Sequence, residues 1–288
     1  MQNQDQVAGK LYLVGTPIGN LEDITFRAVR ILREVDFIAA EDTRHTRKLL
    51  THFDISGKDL FSYHEHNERV AARQIVERVL CGEQGAVVSD AGMPGISDPG
   101  QEVVQLAIES GIDVVVVPGP SAGITALCGS GFATGSFSFY GFLPREVNRR
   151  KQALEALRYH KETMIFYEAP HRIDKTLQAM YEAFGERFVV IARELTKLHE
   201  DFIRGVLTKE GISFATSPKK GEMVIVVQGT EATAEEFVND NLLPIVDHVQ
   251  MLVNQGVDRK EAMREVAKLH GLSRRDVYQQ LLEADKNR

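Results

Sequence analysis

The chain has 288 residues, long enough for two medium domains, and 43% of them are hydrophobic, enough to build their cores. A formal net charge of −7 argues against a general electrostatic grip on nucleic acid, while leaving room for local basic patches on an RNA surface. No apolar run approaches the ~20 residues needed to cross a bilayer, so no membrane association is expected.

In chain order, the opening "MQNQDQVAGK" is polar and lacks the basic-then-apolar layout of a signal peptide. "KLYLVG" (10–15) reads as a first strand, ended by the turn "TPIGN". "DITFRAVRILREVD" (23–36) places apolar residues at helical spacing, with Asp23 or Thr25 as its cap. "FIAAED" (37–42) is a short second strand that ends in acids. A helix over "ERVAARQIVERVL" (68–80), a strand over "GAVVSD" (85–90) and a helix over "QEVVQLAIESG" (101–111) follow, the last closed by Gly111. "DVVVVPG" (113–119) is a continuous apolar run of the buried parallel-sheet type. This alternation predicts an α/β sheet with helical crossovers.

After "GFLPREVNRRK" (141–151) the texture changes. "TMIFYEAP", "RFVVIARELT", "EDFIRGVL" and "GEMVIVVQG" read as strands, with one strong helix among them, "RIDKTLQAMYEAFG" (172–185). Strands in succession without crossovers predict a mixed or largely antiparallel second sheet. From about Thr233 the chain is expected to turn helical, ending in two amphipathic helices around "HGLSRRD" (270–276), in the manner of a helix-turn-helix. The expected domains are 1–119, 120–230 and 231–288. For the last, a plain helical hairpin is the bland reading and a basic turn (Arg274, Arg275) resting on RNA the functional one.

Ligands of open α/β sheets bind beyond the carboxyl ends of the strands. The loops expected there are "GTPIGN" (15–20), "AEDTR" (40–44), "SYHEH" (62–66), "SDAGMPGISDPG" (89–100) and "PGPSAG" (118–123). Several are rich in Gly, Pro and Ser, so main chain can come close to a ligand. Known nucleotide motifs fail. Gly15 to Gly19 is followed by Asn20 without the Lys-Ser/Thr of a phosphate loop, and "GSGFATG" (129–135) has one residue too many for a dinucleotide fingerprint and follows a helix. "HEH" (64–66) would put His64 and His66 on one face if it were a strand, with Glu41, Asp42, Asp90 and Asp98 in reach, and a metal-dependent hydrolase could be built from these. Against it stands the lack of any His-Glu-x-x-His or Cys ligand set, so no metal is expected. Cys81 and Cys128 form no metal-type pair and have no activating neighbours, which points to a reducing cytoplasm. Ser89 and Ser97 lack a nucleophile elbow. What remains is a backbone-rich crevice without cationic phosphate clamps. It suits a bulky cofactor with a carboxylate, an amine and an adenine, flanked by Met93, Ile96 and Ala122.

The segments "LYLVGTPIGNLEDIT", "AAEDTRHTRKLL", "HEHNE", "VSDAGMPGISDPG", "PGPSA", "GFLPR", "FYEAPHR", "ARELTKLHE" and "GEMVIVV" occur in this order over residues 11–227. The set closely resembles the ribosomal RNA methyltransferases of the tetrapyrrole-methylase-like (class III) family of S-adenosylmethionine methyltransferases. "HGLSRRDVYQQLLE" resembles their small C-terminal helical domain. The resemblance implies a two-domain α/β homodimer with S-adenosylmethionine folded into the cleft between domains. It implies methylation of a cytidine ribose 2′-hydroxyl in the decoding region of 16S rRNA, within the small ribosomal subunit. Carried over by motif, Pro17 and Ile18 would meet the cofactor from the first loop, and Asp90, Ala91, Gly92, Met93 and Ile96 from the loop after "GAVV". Ser121 and Ala122 would follow, then Tyr167 and Glu168, with Leu195 and Met223 closing the pocket.

The chain departs from the wider family where Gly-Pro-Gly-Asp is replaced by Pro17-Ile18-Gly19-Asn20, so contacts to tetrapyrroles do not transfer. Threonine is usual where Met93 stands, so main-chain contacts are expected there. Asp90 and Asp98 are expected mostly to brace their loop. A ribose hydroxyl needs help to lose its proton. Glu41 is one candidate base, against the plainer reading of a salt bridge to Arg44 or Arg172; Lys197 is another. RNA contacts are expected from Arg44, Lys48, His64, Asn67, Arg145, Arg149, Arg150, Lys151, Arg274 and Arg275. A methyltransferase of the same fold acting on a small tetrapyrrole-like molecule is the main alternative. The basic patches and the C-terminal helices argue against it.

Overall fold

The computed structural model describes residues 8–212, 221–230, 244–254, 256–269 and 272–286. The polar start (1–7), the region of Thr233 and residues 270 and 271 of the expected turn lie outside these residues.

The first sheet has five strands: β1 (Lys10–Val14), β2 (Phe37–Ala40), β3 (Asp59–Ser62), β4 (Gly85–Val88) and β5 (Asp113–Val117). Their spatial order is β3-β2-β4-β1-β5 and every neighbouring pair is parallel. The central strands β2 and β4 are buried at every residue, which is why "FIAA" and "GAVV" are apolar throughout instead of alternating. β5 departs from the expected buried type. It forms the sheet edge, and its Val116 is 54% exposed.

The crossovers are α1 (Phe26–Glu34), α2 (Thr43–His52), α3 (Glu68–Leu80) and α4 (Gln101–Glu109). Alternate residues of each strand face opposite sides. On one side, Leu11, Phe37 and Val87 pack with Ile75, Val79 and Val103 of α3 and α4. On the other, Val14, Ile38 and Val88 pack with Ile31, Leu32 and Leu50 of α1 and α2. Thr25 is the cap of α1, its hydroxyl accepting the Ala28 N–H at 3.0 Å, while Asp23 belongs to a preceding 3-10 turn. Neither α2 nor β3 is signalled by periodicity. "TRHTRK" opens α2 with an almost wholly polar turn, and Asp42 starts the helix by accepting the Arg44 N–H at 2.8 Å.

Six strands make the second sheet: β6 (Phe137–Phe142), β7 (Thr163–Glu168), β8 (Phe188–Arg193), β9 (Asp201–Thr208), β10 (Gly211–Ile212) and β11 (Met223–Val227). The order is β10-β9-β8-β11-β7-β6; β6 and β7 are parallel and the other pairs antiparallel, a mixed sheet as expected. One face packs Ile165, Val190 and Val224 against Ala126 and Leu127 of α5 (Ala122–Ser130). The other packs Met164, Phe166 and Ile225 against Leu154 of α6 (Val147–Glu155) and Leu177, Met180 and Phe184 of α7 (Ile173–Phe184). α5 escapes a periodicity search because "AGITALCGS" is small and apolar almost all round.

Both sheets with their helices belong to one compact unit, while residues 159–161 and the described residues from Thr230 onward belong to another. In the second unit, helices Ile245–Asn254, Arg259–Leu269 and Arg274–Lys286 pack around Val249, Ala262, Val266, Val277 and Leu281. The last is opened by a reciprocal cap: Asp276 N–H donates to the Ser273 hydroxyl at 3.3 Å, and Ser273 N–H to the Asp276 carboxylate at 3.1 Å. Arg274 and Arg275 are exposed on its first turn. No described helix is long and apolar enough to cross a membrane.

Phe166 is fully buried between the second sheet and α7. Phe166→Ala should lower the unfolding free energy by about 3–5 kcal/mol in urea titration, whereas a loss under about 1 kcal/mol would mean that this core collapses around the gap.

Candidate functional site

Because the strands of the first sheet run parallel, the loops that follow β1, β2, β4 and β5 emerge along one edge. The loops after β1 and β4 are tied by a two-bond bridge: Thr16 N–H donates to Gly92 C=O at 2.9 Å, and Gly92 N–H to Thr16 C=O at 3.0 Å. The buried Thr16 hydroxyl adds a bond to Ser89 C=O at 3.1 Å. The loop after β5 crosses the first one at Gly119. A Cβ on Gly15 would lie 2.7 Å from Gly119 Cα, and one on Gly119 would lie 2.8 Å from Gly15 Cα, so neither position admits a side chain. Gly92 sits at φ +86°, a left-handed conformation that glycine alone adopts without strain.

Beside this crossing lies a cavity of about 360 Å³ between the first-sheet loops and the second sheet. Ile18, Asp90, Ala91, Gly92, Met93, Ile96, Ser121, Ala122, Tyr167, Glu168 and Met223 all line it, as the motifs suggest. Two expected contacts lie elsewhere. Pro17 faces a neighbouring cavity of about 200 Å³, together with Thr16, His45, Lys48 and Asp90. Leu195 is 6% exposed and packs in the apolar layer between α5 and the second sheet. Tyr167 is placed by the Gly123 N–H, which donates to its hydroxyl at 3.2 Å, and by the ring edges of Phe139 and Phe142; burial raises its proton affinity. The fully buried Glu168 side chain accepts from the Thr176 hydroxyl and from the Ala169 N–H, with Arg172 at 3.4 Å.

Glu41 follows β2 and lines the same cavity. It accepts the Asp90 N–H at 3.2 Å, and burial raises its proton affinity. The salt bridge considered for it is absent among the described residues. Arg44 closes on Asp42 at 2.6 Å and holds that carboxyl well below the usual range; Arg172 turns to Glu168 and to Leu143 C=O. Asp90 braces its loop as expected, accepting from Asp42 N–H and from His45 Nδ1, both at 3.0 Å. Asp98 does not. It accepts no hydrogen bond among the described residues, lines the cavity, and is pushed up to about 7 by burial and by the charges of Glu41, Asp90 and Glu222. The sequence puts Asp98 in a ligand-edge loop, but as a brace, and signals neither Glu222 nor Phe142 as part of the lining. Lys197 is outside its walls: the turn Glu194–Lys197 folds the ammonium back onto Glu194 at 3.0 Å, with the stem packed over Gly19.

The RNA candidates divide. Arg44, Lys48, Arg145, Arg149 and Lys151 are exposed, Arg149 pairing with Glu146 at 3.0 Å. Arg150 is instead turned inward at 7% exposure, because α6 packs that side of the helix on α7. Asn67 donates to Ser62 C=O at 2.9 Å and accepts the His64 N–H at 2.8 Å, so its amide holds a turn. That turn replaces the strand considered for "HEH", and His64 and His66 meet edge to face at 5.9 Å. Among the described residues, the three ligand-type groups that cluster are Asp42, His45 and Asp90, already engaged by Arg44 and by one another. The two histidines of the hydrolase reading are not among them.

A family described as Tetrapyrrole (Corrin/Porphyrin) Methylases matches residues 10–209. Proteins named ribosomal RNA small subunit methyltransferase I are similar over nearly the whole chain. The one from Halalkalibacterium halodurans is 50% identical over 94% of this chain and 93% of its own length, and the one from Bacillus subtilis 46% identical over the same shares. Among solved structures, a uroporphyrin-III C-methyltransferase from Thermus thermophilus complexed with S-adenyl homocysteine has a TM-score of 0.54 at 15% identity, covering 76% of this chain and 97% of its own. Diphthine synthase has a TM-score of 0.56 at 15% identity, covering 80% and 93%. At these identities the likeness is one of fold.

Asp98 also gives a stability signature. The folded protein keeps this proton up to about pH 7, while the unfolded chain releases it near 4. Between those values the folded state binds more protons, so Asp98 makes stability fall as pH rises. Asp98→Asn should therefore melt higher than the parent in mildly alkaline buffer and lose that advantage near about pH 4. A variant that melts lower in alkaline buffer would show Asp98 to be a structural brace after all.

Proposed function

The chain belongs to the tetrapyrrole methylase family, and from that membership we propose that it methylates the ribose 2′-hydroxyl of a cytidine in the decoding region of 16S rRNA, within the small ribosomal subunit, using S-adenosylmethionine. The carrying observation is that similarity to small-subunit rRNA methyltransferases runs through 94% of the chain, at 46–50% identity. The site fits the cofactor on three counts. Its volume lies within the usual range for small-molecule sites, the small residues Ala91, Gly92 and Ala122 of its lining let a ligand come close to main chain, and among the described residues no lysine or arginine lines it to hold a phosphate.

When bound, S-adenosylmethionine supplies a methyl group on a sulfonium sulfur, and its displacement by an oxygen needs no metal. The chain's part is to align and to keep water out. Ile18, Met93 and Ile96 offer the apolar cover for an adenine. The first turn of α5, where the Ser121 side chain makes no cap bond, offers N–H groups to a carboxylate. Holding the 2′-oxygen at about 3–3.5 Å from the methyl carbon supplies much of the rate. Glu41, half-buried and with raised proton affinity, is the proposed acceptor of the hydroxyl proton. Lys197, paired with Glu194, is the lesser choice. Arg44, Lys48, Arg145, Arg149 and Lys151 are the proposed phosphate contacts, joined by Arg274 and Arg275 from the C-terminal unit.

A homodimer belongs to the same proposal, and the edge strand β6 supports it. Phe137, Phe139, Tyr140 and Phe142 are all more than a third exposed there, on a strand with no outer neighbour among the described residues. The setting proposed is the cytoplasm, where small subunits are found. A small tetrapyrrole-like substrate is favoured by the description of the wider family and by the fold of distant neighbours such as uroporphyrin-III C-methyltransferase, and by none of the relatives at 46–50% identity named above.

Labelled methyl transfer to unmodified small subunits, to free 16S rRNA and to a uroporphyrinogen tests the assignment. Label should enter the small subunit and be recovered as 2′-O-methylcytidine after nuclease digestion. Recovery in a methylated base, or in the tetrapyrrole alone, would refute it.

A further inference from the structure

The walls of the cofactor cavity carry Glu41, Asp90, Asp98, Glu168 and Glu222, and among the described residues no lysine, arginine or histidine belongs to the lining. Three of these acids already have partners. Glu168 is bonded to Thr176 and lies beside Arg172, Asp90 accepts from Asp42 N–H and His45, and Glu41 accepts from Asp90 N–H. Asp98 has no such bond among the described residues, and the neighbouring acids only repel it.

The turn that carries Asp98 is nevertheless tightly built. Gly95 N–H donates to Pro99 C=O at 3.2 Å, and Gly100 N–H to the Glu68 carboxylate at 3.0 Å, which the Tyr63 hydroxyl also holds at 2.8 Å. Ser97, just before Asp98, sits at φ +64°, a conformation that costs a non-glycine residue strain. On its far side the turn rests on β6, where a Cβ on Gly141 would come 2.9 Å from Ser97 Oγ. The structure thus fixes, at the wall of this cavity, a carboxylate that no described residue compensates. A positive charge on the ligand removes that cost, and a neutral ligand leaves it in place.

Methyl transfer changes the ligand's charge in just this way. The oxygen–methyl bond forms as the sulfur–methyl bond breaks, the electron pair of the broken bond stays on sulfur, and the hydroxyl proton leaves to the base. The sulfonium becomes a neutral thioether. We infer that Asp98, with the surrounding carboxylates, selects the sulfonium methyl donor over its thioether product, so that product release follows from the loss of charge at the reacting sulfur. This rests on the reading of the cavity as the S-adenosylmethionine site and adds to it a residue that sets specificity between donor and product. Asp98 titrates beside Glu41, Asp90, Glu222 and Tyr167, so the preference should be full in alkaline buffer and shrink toward acid.

Calorimetric titration of the full chain with three probes tests this: S-adenosylmethionine, S-adenosylhomocysteine, and sinefungin, which carries an amine where the sulfonium stands. In mildly alkaline buffer the parent should prefer S-adenosylmethionine to S-adenosylhomocysteine by about tenfold or more, the scale of one charge pair screened in a half-buried site. Asp98→Asn should bring the ratio close to one by weakening S-adenosylmethionine and sinefungin while sparing S-adenosylhomocysteine. Asp98→Glu should restore part of it. An unchanged donor-to-product ratio in Asp98→Asn overturns the inference, even if turnover is lost, since lost turnover alone would mark Asp98 as a base. Failure of the parent to bind any of the three would instead overturn the cofactor-site reading beneath it.

Discussion

Gly15 and Gly119 touch backbone to backbone, and this contact sets where the three site loops can run. β1 and β5 are adjacent parallel strands, so the chains leaving them start only one strand spacing apart. With no side chain at either crossing point, the loops can pass in van der Waals contact. The bridge between Thr16 and Gly92 then fastens the loop after β4 to the same crossing. Side chains on three separate loops are thereby held relative to one another by main chain. The cavity beside them is consequently a feature of the fold, not of any single motif.

A site made this way has a particular electrostatic character. Main-chain groups supply the hydrogen bonds, which leaves charged side chains to define the field. Among the described residues that field is negative, since acids follow β2 and β4 and others come from β7 and from Glu222 before β11, with no cation in the lining. Such a cavity is poorly suited to a nucleoside triphosphate and well suited to a cofactor whose reactive atom is a cation. Basic residues are placed elsewhere, on α2, at the start of α6 and on the last helix, where an RNA surface can reach them.

Most of the first sheet was legible in the sequence, and for a physical reason. Strands buried on both faces read as unbroken apolar runs, and the helices between them show one polar face, as α3 does over Glu68–Leu80. α2 and α5 were not legible. One opens with a polar turn started by Asp42, and the other is too uniformly apolar to show a period. β5 carries the unbroken apolar run of a buried strand, yet strand order puts it at the edge, which local sequence does not encode. The candidate site divides similarly. Loops rich in glycine announce close main-chain approach, and the residues carried over by motif from Ile18 to Met223 mostly line one cavity. That Asp98 lines the cavity instead of bracing its loop was not legible, because its orientation depends on the φ of Ser97 and on the contact of that turn with Gly141 in the second sheet. Lys197 and Arg150 teach the same point: a turn and a helix packing decide where their charges go.

We propose that three first-sheet loops and the facing second sheet together form one S-adenosylmethionine site. Amide hydrogen exchange with and without S-adenosylmethionine, in the presence of EDTA, tests it most directly. Protection should appear together in 15–18, 90–98, 119–123 and 167–169. Protection confined to the separate polar cleft between α3 and α4, lined by Arg73, Gln105 and Glu109, or no protection at saturating ligand, would contradict the account.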